Sequence, residues 1–533
     1  MTGKPTEARK IRPQRVQVLD HFGRRKSLPG DPKQYRILYA GDEAANSGVL
    51  LLGIGPDPDV VVDLLRDQGD VAYLECPELQ RQVQHQTPSG RRAALPARWR
   101  PLTPQDLDDP DLIARTILFY GPGLTLFPDF WSPVLARIAL RRLPPPTAQD
   151  ENVVWLPVSE HRLLARELTR AFTSQGLVVR SVPESMPPRE VLERLREQRP
   201  DLFFSVNFQG LDPLGQSHEM LRQAGAQICV WCVDNPFHLL TGLRSTYWKQ
   251  CRLFVTDDWF ISPLTDHGAT QVFHLPLAAA QHFLNPAPPP APKGDWSELR
   301  QRVVFVGRSA FPGKERFFAG CAVPENLEPR AAAFMAQGGR PDFSWWWEQL
   351  RFPPLWPGQG ARKVGFAAEE FNRRRRTAYL QAAGRDGNLT VFGDTGWNDL
   401  LDKGSDVRPE VDYYGPLAQI YRQASVTLNL TSLLLPHGLT QRNFDVWAAG
   451  GFLLTDHTPG LEIFDPELTQ EVAFTTPASL NALIQRLDKD SSLVNDLGSA
   501  WRDHIQKKHL YAQRIVTVLE AATSREARAF LPS

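Results

Sequence analysis

The sequence predicts an α/β protein built from doubly wound parallel sheets, and three observations carry that prediction. Short apolar runs alternate with amphipathic segments across residues 149–284, the pattern of parallel βαβ units covered on both faces. The alternation restarts after Asn285–Lys293, NPAPPPAPK, too proline-rich for a helix or central strand and best suited to a semi-rigid linker. Residues 426–456, VTLNLTSLLLPHGLTQRNFDVWAAGGFLLTD, then supply a strand, a loop, a short helix opening near Thr440 and a second strand. That unit presents a nucleotide-sized loop at the carboxyl edge of such a sheet.

At 533 residues the chain exceeds one ordinary core. The proline run at Leu143–Thr147 and the linker divide it into 1–148, 149–284, the linker 285–293, and 294–533. Sixty basic and sixty acidic side chains balance, which argues against a protein that coats nucleic acid or an acidic membrane. The five cysteines form no disulfide framework, and Cys229 and Cys232 lie in a strand-like run rather than at a helix start, so neither a redox pair nor a zinc site is expected. Residues 1–17 are polar and basic without the apolar stretch of a signal peptide, and no window approaches 18 consecutive apolar residues. The expectation is a cytoplasmic protein with no integral membrane segment and no nucleic-acid partner.

In the middle block, strands are expected at Val153–Pro157, Leu177–Val182, Leu202–Phe208, Ile228–Val233 and Leu253–Thr256, with helices at His161–Gln175 and Arg189–Gln198. After the linker they are expected at Val303–Val306, Leu389–Phe392, Val426–Leu430, Phe452–Thr455 and Val472–Phe474, and Leu493–Ala522 closes the chain as helix. An irregular insertion, about Phe317 to Glu370, holds Trp345–Trp347, either packed on the body or offered as a stacking face. The run Arg373–Arg376 reads as a solvated helix. Two doubly wound domains joined this way turn their strand carboxyl ends to one cleft.

The first block also reads as α/β, with strands at Gly48–Ile54 and Val71–Glu75 around a helix at Val60–Asp67. Glu75 falls 22 residues after Gly53, near the spacing of a ribose-binding acid. Pro56, Asp57 and Pro58 replace the further glycines, however, and Asp57 and Asp59 would face a pyrophosphate, so an accessory domain is expected over a live cofactor site.

Asp201–Gly210 (DLFFSVNFQG) with Val230–Pro236 (VWCVDNP), and Gln441–Asp456 (QRNFDVWAAGGFLLTD), resemble the two halves of the CgeB-like glycosyltransferases, a group named for a spore maturation protein. The likeness spans roughly 150–520. It implies the GT-B architecture, two Rossmann-like domains facing a cleft, here with an amino-terminal Rossmann-like accessory domain. It also implies a nucleoside-diphosphate sugar as donor, a uridine diphosphate sugar first among them, with a protein acceptor such as flagellin or a cell-surface glycan. No permanently bound cofactor is implied. Many enzymes of this architecture carry two glutamates separated by seven residues; here His437 and Asp445 hold those positions.

Glycosyl transfer places negative charge on the leaving diphosphate, and without a metal the protein must neutralise it with fixed donors. Arg308 and Lys314, in FVGRSAFPGK, follow the first strand after the linker, and related enzymes have an Arg and a Lys at about this spacing. Arg442, Thr431 and Gly438 complete the expected diphosphate contacts, and Asp445 is expected to hold the ribose diol. Each cation could instead be a solvated or structural charge. Asp234, at a strand end of the middle block, is a candidate base for the acceptor hydroxyl or a cap for the next helix, and His437 a candidate at the donor sugar. His238, Asp257 and Asp258 rank second by the same strand-end position; Asn207, Gln209 and the Tyr413-Tyr414-Gly415 loop are weaker sugar or base contacts. A P-loop is refused at Gly307–Lys314, since five residues separate its glycines and Glu315 replaces the magnesium-binding hydroxyl. No metal site is expected.

The leading expectation is therefore a metal-independent glycosyltransferase. The alternatives are a degenerate transferase fold acting as a binding or scaffold protein, and a bifunctional protein with a methyl-donor or dinucleotide site in residues 1–148.

Overall fold

A computed structural model describes residues 16–41, 48–84, 95–148, 150–159, 162–284, 296–352 and 354–523. The expected linker, the basic amino terminus and His161 lie outside the described residues. Two six-stranded sheets, parallel throughout, form the body. The middle sheet runs in the order Val178–Val182, Val153–Pro157, Leu202–Val206, Gln227–Cys232, Arg252–Val255, Gln271–His274, which is 2-1-3-4-5-6 in chain order. The carboxyl-terminal sheet runs Asp406–Arg408, Leu389–Phe392, Val303–Val306, Val426–Asn429, Leu453–Asp456, Ala473–Phe474, or 3-2-1-4-5-6. That is the doubly wound dinucleotide-binding order, and its switch point falls between Val303–Val306 and Val426–Asn429. Both domains are Rossmann-like.

Residues 16–148 form a separate five-stranded sheet with Tyr35–Tyr39 antiparallel at one edge, then Thr116–Tyr120, Val49–Leu52, Val71–Leu74 and Arg100–Pro101. A hairpin of Val16–Leu19 and Arg25–Leu28 accompanies it. The helix Pro128–Arg141 joins this block to the middle domain by packing on Gln216–Gln223. There Asp129 accepts hydrogen bonds from the Ser245 hydroxyl (2.6 Å) and the Thr246 amide (2.8 Å).

Four expectations about elements need correction. The strand from Leu202 stops at Val206, because Asn207 (φ 54°) and Phe208 (φ 63°) turn left-handed. The closing helix is two helices, Ser491–Lys508 and Tyr511–Thr523, broken where His509 leaves helical geometry (φ −133°, ψ 46°). The insertion is helical, with Lys314–Phe317, Glu328–Ala336, Phe343–Leu350 and the long Gln359–Ala383. The arginine run on that last helix is not simply solvated: Arg375 falls on the stripe Val364, Ala368, Phe371, Tyr379, Ala382 and is only 3% exposed.

One apolar core runs from Phe204 and Trp231 of the middle domain through Phe283 to Phe444 and Trp447 of the next. A second joins Phe237, Leu240 and Trp248 to Trp346, Leu355 and Phe371 of the insertion. The final helix, Tyr511–Thr523, crosses back onto Ala165–Ser174. These cores fix the carboxyl edges of the two sheets face to face. Among the described residues no helix is long and apolar enough to cross a membrane.

Candidate functional site

The loop after Asn429 is tied down from beneath by a buried polar network. Asn429 Nδ2 donates to Thr455 Oγ1 (2.9 Å), while its Oδ1 accepts from Thr440 Oγ1 (2.8 Å) and Arg442 Nε (2.9 Å). The Thr440 amide donates to Asn443 Oδ1 (2.9 Å), opening the helix Arg442–Ala448. Fully satisfied buried groups of this kind specify one conformation. Thr431, also buried, donates its amide to Asp456 Oδ1 (2.7 Å) at the end of the next strand.

The loop so held meets strand ends of the facing sheet. The His437 amide donates to Asp257 Oδ2 (3.0 Å), and its Nδ1 lies 2.9 Å from Asp258 Oδ1. A Cβ at Gly438 would come within 2.6 Å of Leu435 Cβ and 3.3 Å of Asp257 Oδ2, so the closeness of loop and carboxylate depends on that glycine. Burial pushes Asp257 up to about 7 despite the His437 amide and imidazole, which oppose the shift. Asp257, Asp258 and His437 offer three ligand atoms within 4.8 Å of one another, a set of oxygen and imidazole donors suited to a divalent ion. The second-rank residues Asp257 and Asp258 thus stand with His437. His238 does not: it is buried among Phe311, Phe317, Phe318 and Phe343, an interdomain packing residue whose neutral form burial favours.

Cations gather at the switch point. Arg442 bridges its two flanking strands, donating from Nη1 to the Val306 carbonyl (2.5 Å) as well as to Asn429. Its guanidinium lies over the Phe305 ring at 5.5 Å, and Arg376 shares that ring at 5.3 Å. Arg376 Nε is buried without a hydrogen-bond partner, and burial pulls its guanidinium down to about 10. A side chain on Gly307 would meet Arg376 Nη2 at 3.2 Å, so this glycine leaves room for the cation at the strand end. Arg308 and Lys314 are engaged elsewhere: Arg308 pairs with Glu410 at the surface (2.9 Å), and Lys314, largely buried, pairs with Glu370 of the long helix.

Asp445 is 1% exposed, and burial pushes it up to about 8. Its Oδ2 accepts from the Tyr413 hydroxyl (2.7 Å) and its Oδ1 from the Ala280 amide of the other domain (3.2 Å). Tyr414, next in the same loop, donates to Glu167 Oε2 across the hinge (2.7 Å). The loop expected over the base and the acid expected at the ribose are therefore in direct contact.

On the facing edge Asn207 organises the strand ends. Its Oδ1 accepts from the Val233 amide (2.9 Å), and its Nδ2 donates to Asp234 Oδ2 (2.7 Å). Asp234 is exposed at its surface, yet desolvation by the atoms around it raises its carboxyl pKa, with Asn207 opposing. Asp234 does not cap the following helix. Asn235 does, accepting from the Phe237 and His238 amides, and its Nδ2 reaches the Leu434 carbonyl of the facing loop (2.9 Å).

In the first block, the Tyr35 and Tyr120 rings, 5.3 Å apart, cover the turn at Gly53–Gly55. A Cβ at Gly55 would stand 2.5 Å from the Tyr35 hydroxyl, which itself donates to the Ile54 carbonyl (2.5 Å). Glu75 accepts from the Ile54 and Cys76 amides, both at 2.7 Å. Tyrosine rings occupy the space over this turn and the acid is turned onto backbone.

Sequence reading missed Arg376 and the pair Arg340 and Arg375, which both reach the buried Asp456, Arg375 at 3.0 Å. The signal was available for Arg375: its place on the apolar stripe of a long helix marks a charge directed inward. Arg340 sits in the insertion with no periodicity to betray it.

Residues 373–520 match the family model described as glycosyl transferase-like. The match falls in the carboxyl-terminal domain and takes in the Arg376, Thr431, Gly438, Arg442 and Asp445 positions. No curated protein matches the chain. Among solved structures, the T4 phage glucosyltransferase BGT in complex with UDP and Mn2+ is similar at 11% identity and TM-score 0.39, over 70% of this chain and 99% of that one. An alpha-glucosyltransferase in complex with UDP-glucose and DNA containing an abasic site is similar at 10% identity and TM-score 0.42, over 70% and 99%. TarM is similar at 10% identity and TM-score 0.35, over 61% and 55%.

Proposed function

We propose that the chain is a GT-B glycosyltransferase that moves a sugar from a nucleoside-diphosphate sugar, a UDP-sugar first, to a glycan or protein acceptor. The observation that carries this reading is where the glycosyl transferase-like segment falls. It supplies the strand–loop–helix of 426–448 at the switch point of a 3-2-1-4-5-6 sheet, facing a second doubly wound domain. The resemblance of residues 201–210, 230–236 and 441–456 to CgeB-like enzymes supports the finer assignment.

In this reading the acceptor oxygen attacks the anomeric carbon as the bond to the leaving diphosphate oxygen breaks. Arg442 and Arg376 face the leaving group, joined by the backbone of Gly438, with Thr431 holding the loop through its amide bond to Asp456, while Tyr413 and Asp445 form the ribose and base end. Fixed cations in a crevice of low dielectric stabilise the charge that develops there without reorganising. The acceptor's proton passes to a strand-end carboxylate of the facing sheet. Asp257, raised to about 7, and Asp234 are the candidates, with His437 at the sugar. Asp257, Asp258 and His437 are also where a divalent ion would sit, so dependence on a metal is measured rather than assumed.

The test is calorimetric titration with UDP, GDP, TDP and CDP, followed by donor-sugar release assays with and without a chelator. Tight binding of one diphosphate, lost in Asp445→Ala, supports the reading. A folded protein that binds none of them returns the fold to a scaffold role, which the internal hydrogen bonds of His437 and Asp445 would suit. Binding of S-adenosylmethionine or NAD instead would favour a site in residues 1–148, against the tyrosines that fill its turn.

A further inference from the structure

A cavity of about 360 Å³ opens beside His437, and neither Tyr413 nor Asp445 lines it. The insertion helices form one wall, and the ends of the strands Leu453–Asp456 and Ala473–Phe474 form the other. Its volume lies in the range of small-molecule sites. At its base Arg340 and Arg375 share one carboxylate, Asp456, which is completely buried. Two guanidiniums on one acid leave donors over: Arg375 Nη1 and Arg340 Nε are buried with no hydrogen-bond partner. Each such orphan donor is a cost to the fold unless a ligand or water accepts from it. Arg375 is 3% exposed, so bulk solvent does not relieve it.

The remaining lining has a different character. Asp342 holds the start of the helix Phe343–Leu350 through one oxygen, accepting from the Ser344 and Trp345 amides, and Glu348 stands exposed one turn on. Trp345 and Phe334, both lining the cavity, lie nearly parallel (11° between planes), giving a flat aromatic surface beside these polar groups. Arginines and carboxylates together do not suit a simple anion. Donors, acceptors and an aromatic face within one small cavity suit a ring carrying many hydroxyl groups, each of which both accepts and donates.

We propose that this cavity is a saccharide subsite, in which Arg340 and Arg375 donate to ring hydroxyls, Asp342 and Glu348 accept from them, and Trp345 packs on an apolar sugar face. The inference rests on the transfer reading for its place in a reaction, since His437 lines both the cavity and the interdomain contact. The ring belongs either to the donor or to the acceptor, and the two have different binding signatures.

The experiment is calorimetry on the full chain with UDP, UDP-glucose, glucose, N-acetylglucosamine and cellobiose, for the native protein and for Arg375→Gln and Glu348→Gln. If the donor's sugar occupies the cavity, UDP-glucose binds more tightly than UDP. Arg375→Gln then weakens UDP-glucose by at least about tenfold and leaves UDP unchanged, the loss of a charge-assisted hydrogen bond. If the acceptor's sugar occupies it, a free saccharide binds without nucleotide and loses affinity by a similar factor in Arg375→Gln. Glu348 is exposed, so Glu348→Gln keeps the test open should Arg375→Gln fail to fold, and about a threefold loss is expected of it. The proposal is overturned if the folded variants leave every affinity within about twofold, or if no saccharide or nucleotide sugar shows a contribution from its ring. Saccharide binding that depends on Arg375 in a protein that ignores UDP would instead keep the subsite and remove the transfer reading.

Discussion

His437 is held by two successive carboxylates of the facing domain: its amide donates to Asp257 at 3.0 Å and its Nδ1 lies 2.9 Å from Asp258. One loop residue therefore links the carboxyl edges of the two sheets, and the proposed transfer puts the reacting sugar beside it. A residue placed at the reacting sugar affects turnover more than affinity. His437→Ala is expected to lower kcat by at least about a hundredfold with nucleotide affinity within about threefold. Steady-state kinetics beside UDP titration checks it, and a loss confined to KM would place His437 in ground-state binding. A double cycle with Asp258→Asn shows whether the pair acts as a unit. Single effects that simply add would separate them.

Asp445 is a buried acid whose folded-state pKa, about 8, lies far above its ordinary value near 3.9. A carboxyl raised in this way favours the fold while protonated, so its contribution is fully present below about pH 4 and is lost as pH rises through about 8. The slope is at most about 1.4 kcal/mol per pH unit in that window. Asp445→Asn removes the titration and flattens the pH dependence of the melting temperature between pH 5 and 8. It also weakens nucleoside diphosphate binding by at least about tenfold if the acid meets the ribose. Parallel melting curves for native and variant protein would show that the acid does not titrate in this range. Unchanged affinity would take it out of the binding site.

Both main sheets were legible because their strands are continuous apolar runs. Val303–Val306 and Leu389–Phe392 are where periodicity puts them. Strand ends were less so: Asn207 and Phe208 extend the apolar-looking run from Leu202, and only their left-handed backbone ends the strand. The site was half legible. His437, Gly438 and Arg442 could be singled out from one compact strand–loop–helix. Arg376 and Arg340 reach their places through tertiary packing of distant segments, which local pattern does not record. The four consecutive arginines suggested solvent because neighbours point around a helix axis. The apolar stripe on which Arg375 falls is what turns it inward.

Lys314 is expected to serve a diphosphate, yet its ammonium is paired with Glu370 in a largely buried position. A ligand that recruits it must compete with that carboxylate. If the diphosphate recruits Lys314, Glu370→Gln raises UDP affinity by about threefold to tenfold, with little change for uridine, whereas Lys314→Ala lowers it. Titrations with the two ligands separate a diphosphate contact from a structural ion pair. If Glu370→Gln only lowers the melting temperature and UDP binds as before, Lys314 belongs to the insertion's packing and Arg376 with Arg442 carry the diphosphate.

Asn207 gives the last test, because its backbone and side chain can be separated. The residue holds φ at 54°, a region costly for most side chains, and uses that geometry to accept from the Val233 amide and donate to Asp234 Oδ2 at 2.7 Å. Asn207→Gly keeps the backbone conformation and deletes the clamp; Asn207→Val keeps neither, since a branched side chain is badly strained there. Stability should fall for Val by about 1–3 kcal/mol more than for Gly. If Asp234 receives the acceptor's proton, Asn207→Gly removes the hydrogen bond that opposes the rise of its pKa, so the acidic limb of the kcat/KM profile moves to higher pH. Asp234→Asn abolishes that limb. A profile unmoved by Asn207→Gly and retained in Asp234→Asn would leave Asp257 as the base, just past the end of the neighbouring strand in the same sheet.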